Sequence, residues 1–231
     1  MARRPPDQIR MDALVAVSSQ MTWDDLCERV GPLGLRPIGG LRPQNDQPAR
    51  TIVLLAADEP AFWDVFSKSP EYLDERPHPM DRWSTRVISR LAQDLDAQAF
   101  FPFGGPPYQP FFQWALQTGQ VHQSPIQLLV ERQAGLLIAF RGALGFDDVI
   151  DDMPAPTSSP CVGCDAPCLT TCPVQAFDGK TYAVERCKAH VLSPDGRDNL
   201  QNGCSARRAC PYTLKRHPEQ ARFHMRAFVG V

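Results

Sequence analysis

Seven of the eight cysteines in this 231-residue chain fall between Cys161 and Cys210, and the densest run, CVGCDAPCLTTCP, spans Cys161 to Pro173. Its spacing is Cys-x2-Cys-x3-Cys-x3-Cys-Pro, one residue longer than the Cys-x2-Cys-x2-Cys-x3-Cys-Pro run of bacterial iron–sulfur proteins. A cuboidal cluster needs four soft thiolates, and a tight loop with cysteines two or three residues apart supplies three of them. Cys172-Pro173 turns the chain away, and in two-cluster ferredoxins the cysteine at this position serves the other cluster. Cys210-Pro211 repeats the pair and is the natural returning ligand. The first 4Fe-4S site is therefore read as Cys161, Cys164, Cys168 and Cys210. Zinc is the competing metal, but zinc ribbons take two Cys-x2-Cys knuckles and the second is missing here.

Cys172, Cys187 and Cys204 remain, and they suggest a second cluster. Arg207 stands where a Cys-x2-Cys-x2-Cys register would place the next ligand, so Cys204 and Cys210 are separated by five residues. His190 follows Cys187 by three and is the candidate replacement, since imidazole ligates some clusters; the alternative reading makes it a surface or supporting residue. A second cluster with a non-cysteine or open position, and no second cluster at all, both stay open. Cys27 lies alone among apolar neighbours and reads as a core thiol.

Other elements must hold these cysteines. The segment DDVIDDMPAPTSSP, over 147–160, reads as a linker between a unit at 1–150 and one at 151–231. In the first unit, Thr22 with Asp25 forms a weak capping box for a helix through Val30. TIVLLA, 51–56, is a strand suited to a sheet covered on both faces. A short helix opens at Pro60, and Met80, Trp83, Val87, Ile88, Leu91 and Leu95 mark a long helix over 80–96. AQAFFPF reads as a strand and 110–118 as a helix. PIQLLV and GLLIAFRGAL read as two strands joined in a hairpin through ERQAG. PEQARFHMRAF closes the chain as a helix with Pro218 in its first turn. Strands mixed with helices predict an α/β or α+β domain, with α+β the expected class for the whole chain.

Composition narrows the function classes. The apolar fraction of 43% supports a real core, and a net charge of −2 offers no global pull toward nucleic acid or anionic membrane. No stretch is long and apolar enough for a membrane span. At the chain start, Pro5, Pro6, Asp7 and Gln8 stand where an export signal needs an apolar core, which predicts a cytoplasmic protein. The basic bias after residue 196 (Arg197, Arg207, Arg208, Lys215, Arg216, Arg222 and Arg226) reads as a solvated face, with an acidic electron donor or RNA as the alternatives. Paired carboxylates, a Ser-His-Asp order, a P-loop and a dinucleotide fingerprint are all missing, so hydrolysis has no support.

Two resemblances extend this reading. Cys161 to Cys210 resembles the ferredoxin-type module of epoxyqueuosine reductases and reductive dehalogenases, which carry clusters beside a cobalamin; the extra residue before Cys168 and the absent thiol at Arg207 depart from it. Residues 51–146, through TIVLLAADEPAFWDVF, HPMDRW and SPIQLLVERQAGLLIAFRGAL, resemble the CblC-type cobalamin-processing family. That family implies a flavin-reductase-like, nitroreductase-related α/β sandwich that binds cobalamin base-off and removes its upper ligand. By match to the family's Arg-Gly pair, Arg141 would bind an anionic group or thiol substrate, with Phe140 and Gly142 lining the same pocket. The loop FPFGGPPYQPFF, with Phe103, Gly104, Gly105, Pro106 and Tyr108, would give such a ligand a stiff apolar wall; its residues alone read as a Pro-rich turn packed on the core. Ser124 joins the expected pocket, and His78 is read either as a lower ligand to cobalt or as a residue that simply precedes the long helix.

The leading expectation is thus a corrinoid reductase or processing oxidoreductase, in which a 4Fe-4S cluster passes electrons from an unidentified donor to a bound cobalamin. The alternatives are an FMN-dependent reductase, an electron-transfer ferredoxin without its own substrate, and a tRNA-modifying enzyme, although nucleic acid is not the expected partner.

Overall fold

The computed structural model describes residues 21–43 and 49–231. The chain start, and with it the reading that it lacks an export signal, lies outside the described residues.

The chain enters on helix α1, Trp23–Val30. Its capping box forms as read, with Thr22 Oγ1 accepting from the Asp25 N–H and the Asp25 carboxylate accepting from the Thr22 N–H. Strands β1 (Leu35–Leu41), β2 (Thr51–Ala57), β3 (Gln98–Phe100) and β6 (Phe140–Phe146) make one sheet in the order β1-β2-β6-β3, every pair antiparallel. With helices packed around this small antiparallel sheet, the fold is mixed α+β. Pro37 sits in β1, an edge strand, where a missing N–H is tolerated.

All seven residues of β2 are buried because the sheet is covered on both faces. Val53, Leu55 and Ala57 join Leu26, Trp83, Ile88 and Leu144 in one core, whereas Ile52, Leu54 and Ala56 join Phe100, Trp114 and Ala143 in the other. The two-residue strand period thus divides one apolar run between two cores. The first face is covered by α1, α2 (Ala61–Phe66) and α4 (Pro79–Asp94), the second by α5 (Phe111–Gln117). Arg82 and Arg86 on the outer side of α4 pair with Asp74 and Glu71, at 2.6 and 2.5 Å. Glu71 belongs to the short helix α3, Pro70–Leu73.

The expected hairpin does not form. Leu129–Val130 (β5) pairs with His122–Gln123 (β4), while β6 pairs with β2 and β3 in the main sheet. The ERQAG turn closes on itself through a Glu131–Gly135 bridge, so it reverses the chain without joining the strands on either side. The strand expected in AQAFFPF is cut to Gln98–Phe100, since Pro102 cannot donate to a ladder.

Residues 147–160 run across the first half rather than hanging free. The Trp23 N–H donates to Asp152, Gln120 Nε2 donates to the Ala155 carbonyl, and the Thr157 N–H donates to the Gly119 carbonyl. The cysteine-bearing part follows, with helices α6 (Val184–Leu192), α7 (Arg197–Asn202), α8 (Ser205–Arg208) and α9 (Pro218–Val229). Its core mixes both halves of the chain: Ile126, Val130 and Leu136 pack with Cys168, Cys172, Cys187, Phe177, Val191 and Met225. From α9, Phe223 also reaches an aromatic group of the first half, with ring centroids 5.8 Å from Trp63 and 5.6 Å from Phe66. No helix among the described residues is long and apolar enough to cross a membrane.

Candidate metal centres and adjoining cavities

The seven clustered cysteines divide into two groups. Cys161, Cys164, Cys168 and Cys210 line one small cavity together with Ser124, Pro125, Leu136, Pro211 and Tyr212. The Cys161–Cys168 loop holds three of these cysteines through local turns, among them the bond from the Cys164 N–H to the Cys161 carbonyl. Burial pushes the Cys161 and Cys168 thiols up, and the neighbouring Cys164 and Cys210 push in the same direction. Like charges would repel here unless a cation shared them.

Among the described residues, no three His, Cys, Asp or Glu side chains converge closely enough to hold a single metal ion. A cuboidal cluster makes a different demand. Each of its cysteines binds a different iron, so the thiols surround a space instead of meeting at a point. The donor set around this cavity has that character, four thiols with apolar neighbours. Ser124 Oγ, buried there without a hydrogen-bond partner among the described residues, borders the same space.

The second group is Cys172, Cys187 and Cys204. Burial raises the Cys187 thiol, with Cys204 and Cys172 adding to the effect, and the Tyr182 hydroxyl donates to its sulfur. Tyr182 is itself pushed far up by burial first and then by its bond to Cys187. The Ala176 N–H donates to Cys172 Sγ at 3.3 Å. Arg207 turns inward to this group. Its Nε donates to the Leu136 carbonyl at 2.6 Å, and its charge lies beside Cys204 and Tyr182. His190 stands elsewhere: it lines an open groove with Thr171, Asp195, Asp198 and Arg208, and no cysteine borders that groove.

Of two larger cavities, the first adjoins the second thiol group through Cys204 and the other meets only the first cavity, through His224. The first, of about 390 Å³, is lined by Cys204, Arg207, Arg208, Lys215, Arg216 and His224, with Leu137, Leu214, Ala221 and Met225 on its apolar side. The other, of about 920 Å³, lies between the start of α4 and α9 and is lined by His78, Met80, Asp81, Arg141, Phe223 and His224. His224 belongs to both walls. Burial lowers the Arg141 guanidinium, while Asp81 and Glu59 support its charge.

The residues expected to hold an organic cofactor are dispersed. Arg141 and His78 meet at the 920 Å³ cavity. Ser124 lies at the first thiol group instead. Phe140 packs on the second core near Phe111, and Gly142 lets Ile88 of α4 approach the sheet. Phe103, Gly104, Gly105, Pro106 and Tyr108 line none of these cavities; Tyr108 is exposed and Phe103 packs at a tilt against Phe101. Cys27 is half-buried on α1 rather than inside the core, its thiol raised by partial burial and by Asp24.

Sequence reasoning misses Tyr182, Arg216 and His224 as parts of these sites. The one local signal is the basic bias after residue 196, which by itself reads as a solvated face. Arg207 and Arg216 are drawn inside instead, while Arg197, Lys215, Arg222 and Arg226 are exposed. Comparison with protein-family models, characterised proteins and solved structures gave no match.

Proposed function

We propose that the chain is an iron–sulfur oxidoreductase in which Cys161, Cys164, Cys168 and Cys210 hold a 4Fe-4S cluster that feeds electrons to a corrinoid. The observation that carries the reading is the convergence of these four cysteines, one of them distant in sequence, on a single cavity. Cys172, Cys187 and Cys204 are the ligands of a second cluster, with Tyr182 and Arg207 beside them. When bound, a cluster supplies one-electron transfer, and the protein sets its burial, charge and hydrogen bonding. Support for the corrinoid comes from the resemblance to cobalamin-processing proteins and from the size and lining of the cavity around Arg141. Its volume, about 920 Å³, lies near the top of the range usual for small-molecule sites. On this reading Arg141 orients an acidic substituent, His78 and Phe223 border the ligand, and the domain is of flavin-reductase-like type.

One anaerobic preparation tests these assignments. After reconstitution with iron and sulfide, about four irons per filled site and a reduced-cluster EPR signal are expected. The visible spectrum of added cobalamin should then shift. No bound iron overturns the cluster assignment, whereas clusters without any cobalamin shift at high protein concentration overturn the corrinoid. A yellow cofactor with a flavin spectrum would transfer the cavity to FMN.

A further inference from the structure

The seam between the two halves of the chain contains more positive charge than its protein partners offset. Arg207, Arg216 and Arg141 are all turned inward there, and their nearest hydrogen-bond acceptors are neutral carbonyls of one short segment: Leu136 for Arg207, Leu137 for Arg216 and Phe140 for Arg141. The buried carboxylate that meets them is Glu59. It faces Arg216 at 3.4 Å, the two side chains being 5% and 8% exposed. Gln220 Nε2 donates to the same Glu59 oxygen. Glu59 Oε2, Gln220 Oε1, Arg216 Nε and His224 Nε2 are buried without hydrogen-bond partners among the described residues. Burial and repulsion from Arg207 push Arg216 down to about 10, and burial with Arg216, Arg141 and Arg207 pushes His224 well below its usual value. Glu59 pairs with Arg216, and Asp81 and Glu59 support Arg141, but among the described residues no carboxylate pairs with Arg207, which borders the same cavity as Arg216; buried charge of this kind is ordinarily paired.

We infer that the 390 Å³ cavity bordered by Cys204 is a binding site for a small organic oxyanion, with a doubly charged head group on Arg207, Arg216 and Lys215 and an apolar body against Leu137, Leu214, Ala221 and Met225. The lining has two chemical characters, and they fall on opposite requirements of one ligand. Guanidiniums offer paired N–H donors to phosphate or carboxylate oxygens, and the apolar wall excludes a fully hydrated inorganic ion. Arg208 and Lys215 stand at the exposed rim and draw an anion inward. The site is separate from the Arg141 cavity, touching it only through His224, and it needs neither the corrinoid nor a cluster to be filled.

Calorimetric titration of the full-length protein tests this, in both the cluster-free and the reconstituted forms, with phenyl phosphate, inorganic phosphate and phenylsuccinate as probes. Sodium chloride at matched ionic strength is the reference. Saturable one-to-one binding of phenyl phosphate or phenylsuccinate is expected in both forms, and the two probes separate a phosphoryl from a dicarboxylate head. Inorganic phosphate, lacking the apolar body, should bind more weakly than phenyl phosphate. Arg216→Gln should weaken binding about tenfold. Lys215→Gln, an exposed change that leaves the fold alone, should weaken it about threefold. Arg197→Gln, outside the cavity, should leave it unchanged. The proposal is overturned if neither organic probe binds beyond the chloride reference, if Lys215→Gln binds like the natural protein, or if binding appears only after reconstitution, which would assign the anion to cluster iron.

Discussion

Gly135 is where the cysteine-bearing part of the chain rests on the first half, and Gly135→Ala should loosen that contact. The residue has φ +57°, in the left-handed region, and an added Cβ would lie 2.5 Å from the Thr213 N and 2.6 Å from Thr213 Oγ1. Thr213 Oγ1 accepts from the Leu136 N–H at 3.3 Å and donates to the Arg207 carbonyl at 2.9 Å. Holding alanine at this φ costs roughly 1–2 kcal/mol. Displacing Thr213 sacrifices two hydrogen bonds, each worth roughly 0.5–1.5 kcal/mol net. The total loss is about 2–5 kcal/mol. Gly104→Ala is the matched control: φ there is +84°, yet among the described residues nothing beyond its chain neighbours lies within 4 Å of the added Cβ. It should cost only the backbone part, roughly 1–2 kcal/mol. Urea unfolding of the cluster-free protein measures both, and the difference isolates the contact with Thr213. Because Thr213 follows Cys210 by three residues, Gly135→Ala should also lower iron uptake while Gly104→Ala should not. Equal destabilisation by the two variants would refute the reasoning.

The other expectations concern the thiol groups and the acidic limb of stability. Cys168→Ala and Cys187→Ala should each remove about four irons on reconstitution and leave the other site's EPR signal in place; loss of both signals from either variant would contradict two separate sites. With clusters loaded, Arg207→Met should lower the reduction potential of the second site, since a cation beside Cys204 favours the added electron. An EPR-monitored redox titration in which only the first site moves would contradict the assignment of Arg207. Glu71 is held below the usual carboxylate range chiefly by its bond to Arg86. Its folded value is depressed, so the unfolded chain takes the proton first and the associated stability disappears as pH falls from about 4.3 through the folded value. Urea midpoints should therefore drop in that window, and Arg86→Met should flatten the drop; an unchanged slope would show that Glu71 is not responsible.

Much of the fold is legible in the sequence because its signals are local. Thr22 and Asp25 lie within one turn of each other, the apolar stripe of α4 repeats within sixteen residues, and Pro218 stands at the helix it opens. Cys-Pro at both 172 and 210 is likewise read from spacing alone, and Cys210 lines the same cavity as Cys161, Cys164 and Cys168. What fails depends on distant partners. The ERQAG turn carries a good reversal signal, but β6 finds its neighbours in β2 and β3, and no local spacing encodes that choice. Likewise, charge content alone cannot separate a solvated arginine from an inward one. Arg207 and Arg216 find their carbonyl partners 71 and 79 residues away. The aromatic loop over 101–112 misleads for the opposite reason: its residues suit a ligand wall chemically, yet they line none of the cavities around the thiols or Arg141.

The packing around the thiols bears on how electrons would move. The cysteine loops do not close over a core of their own; Ile126, Val130 and Leu136 from the first half fill it, and Phe223 reciprocates by inserting among Trp63, Phe66 and Tyr72. Exposing either set would put large apolar surface in water, at roughly 25 cal/mol per Å². The two halves are therefore bound by burial as well as by chain connection, and the loop bearing Cys210 is fixed to the first half through Thr213 and Arg216. A carrier that hands electrons to many partners gains from a small, separable module. On the proposed reading, a chain whose thiol groups share a core with the wall of the 390 Å³ cavity is better suited to serving one bound ligand, at a separation that the fold holds constant.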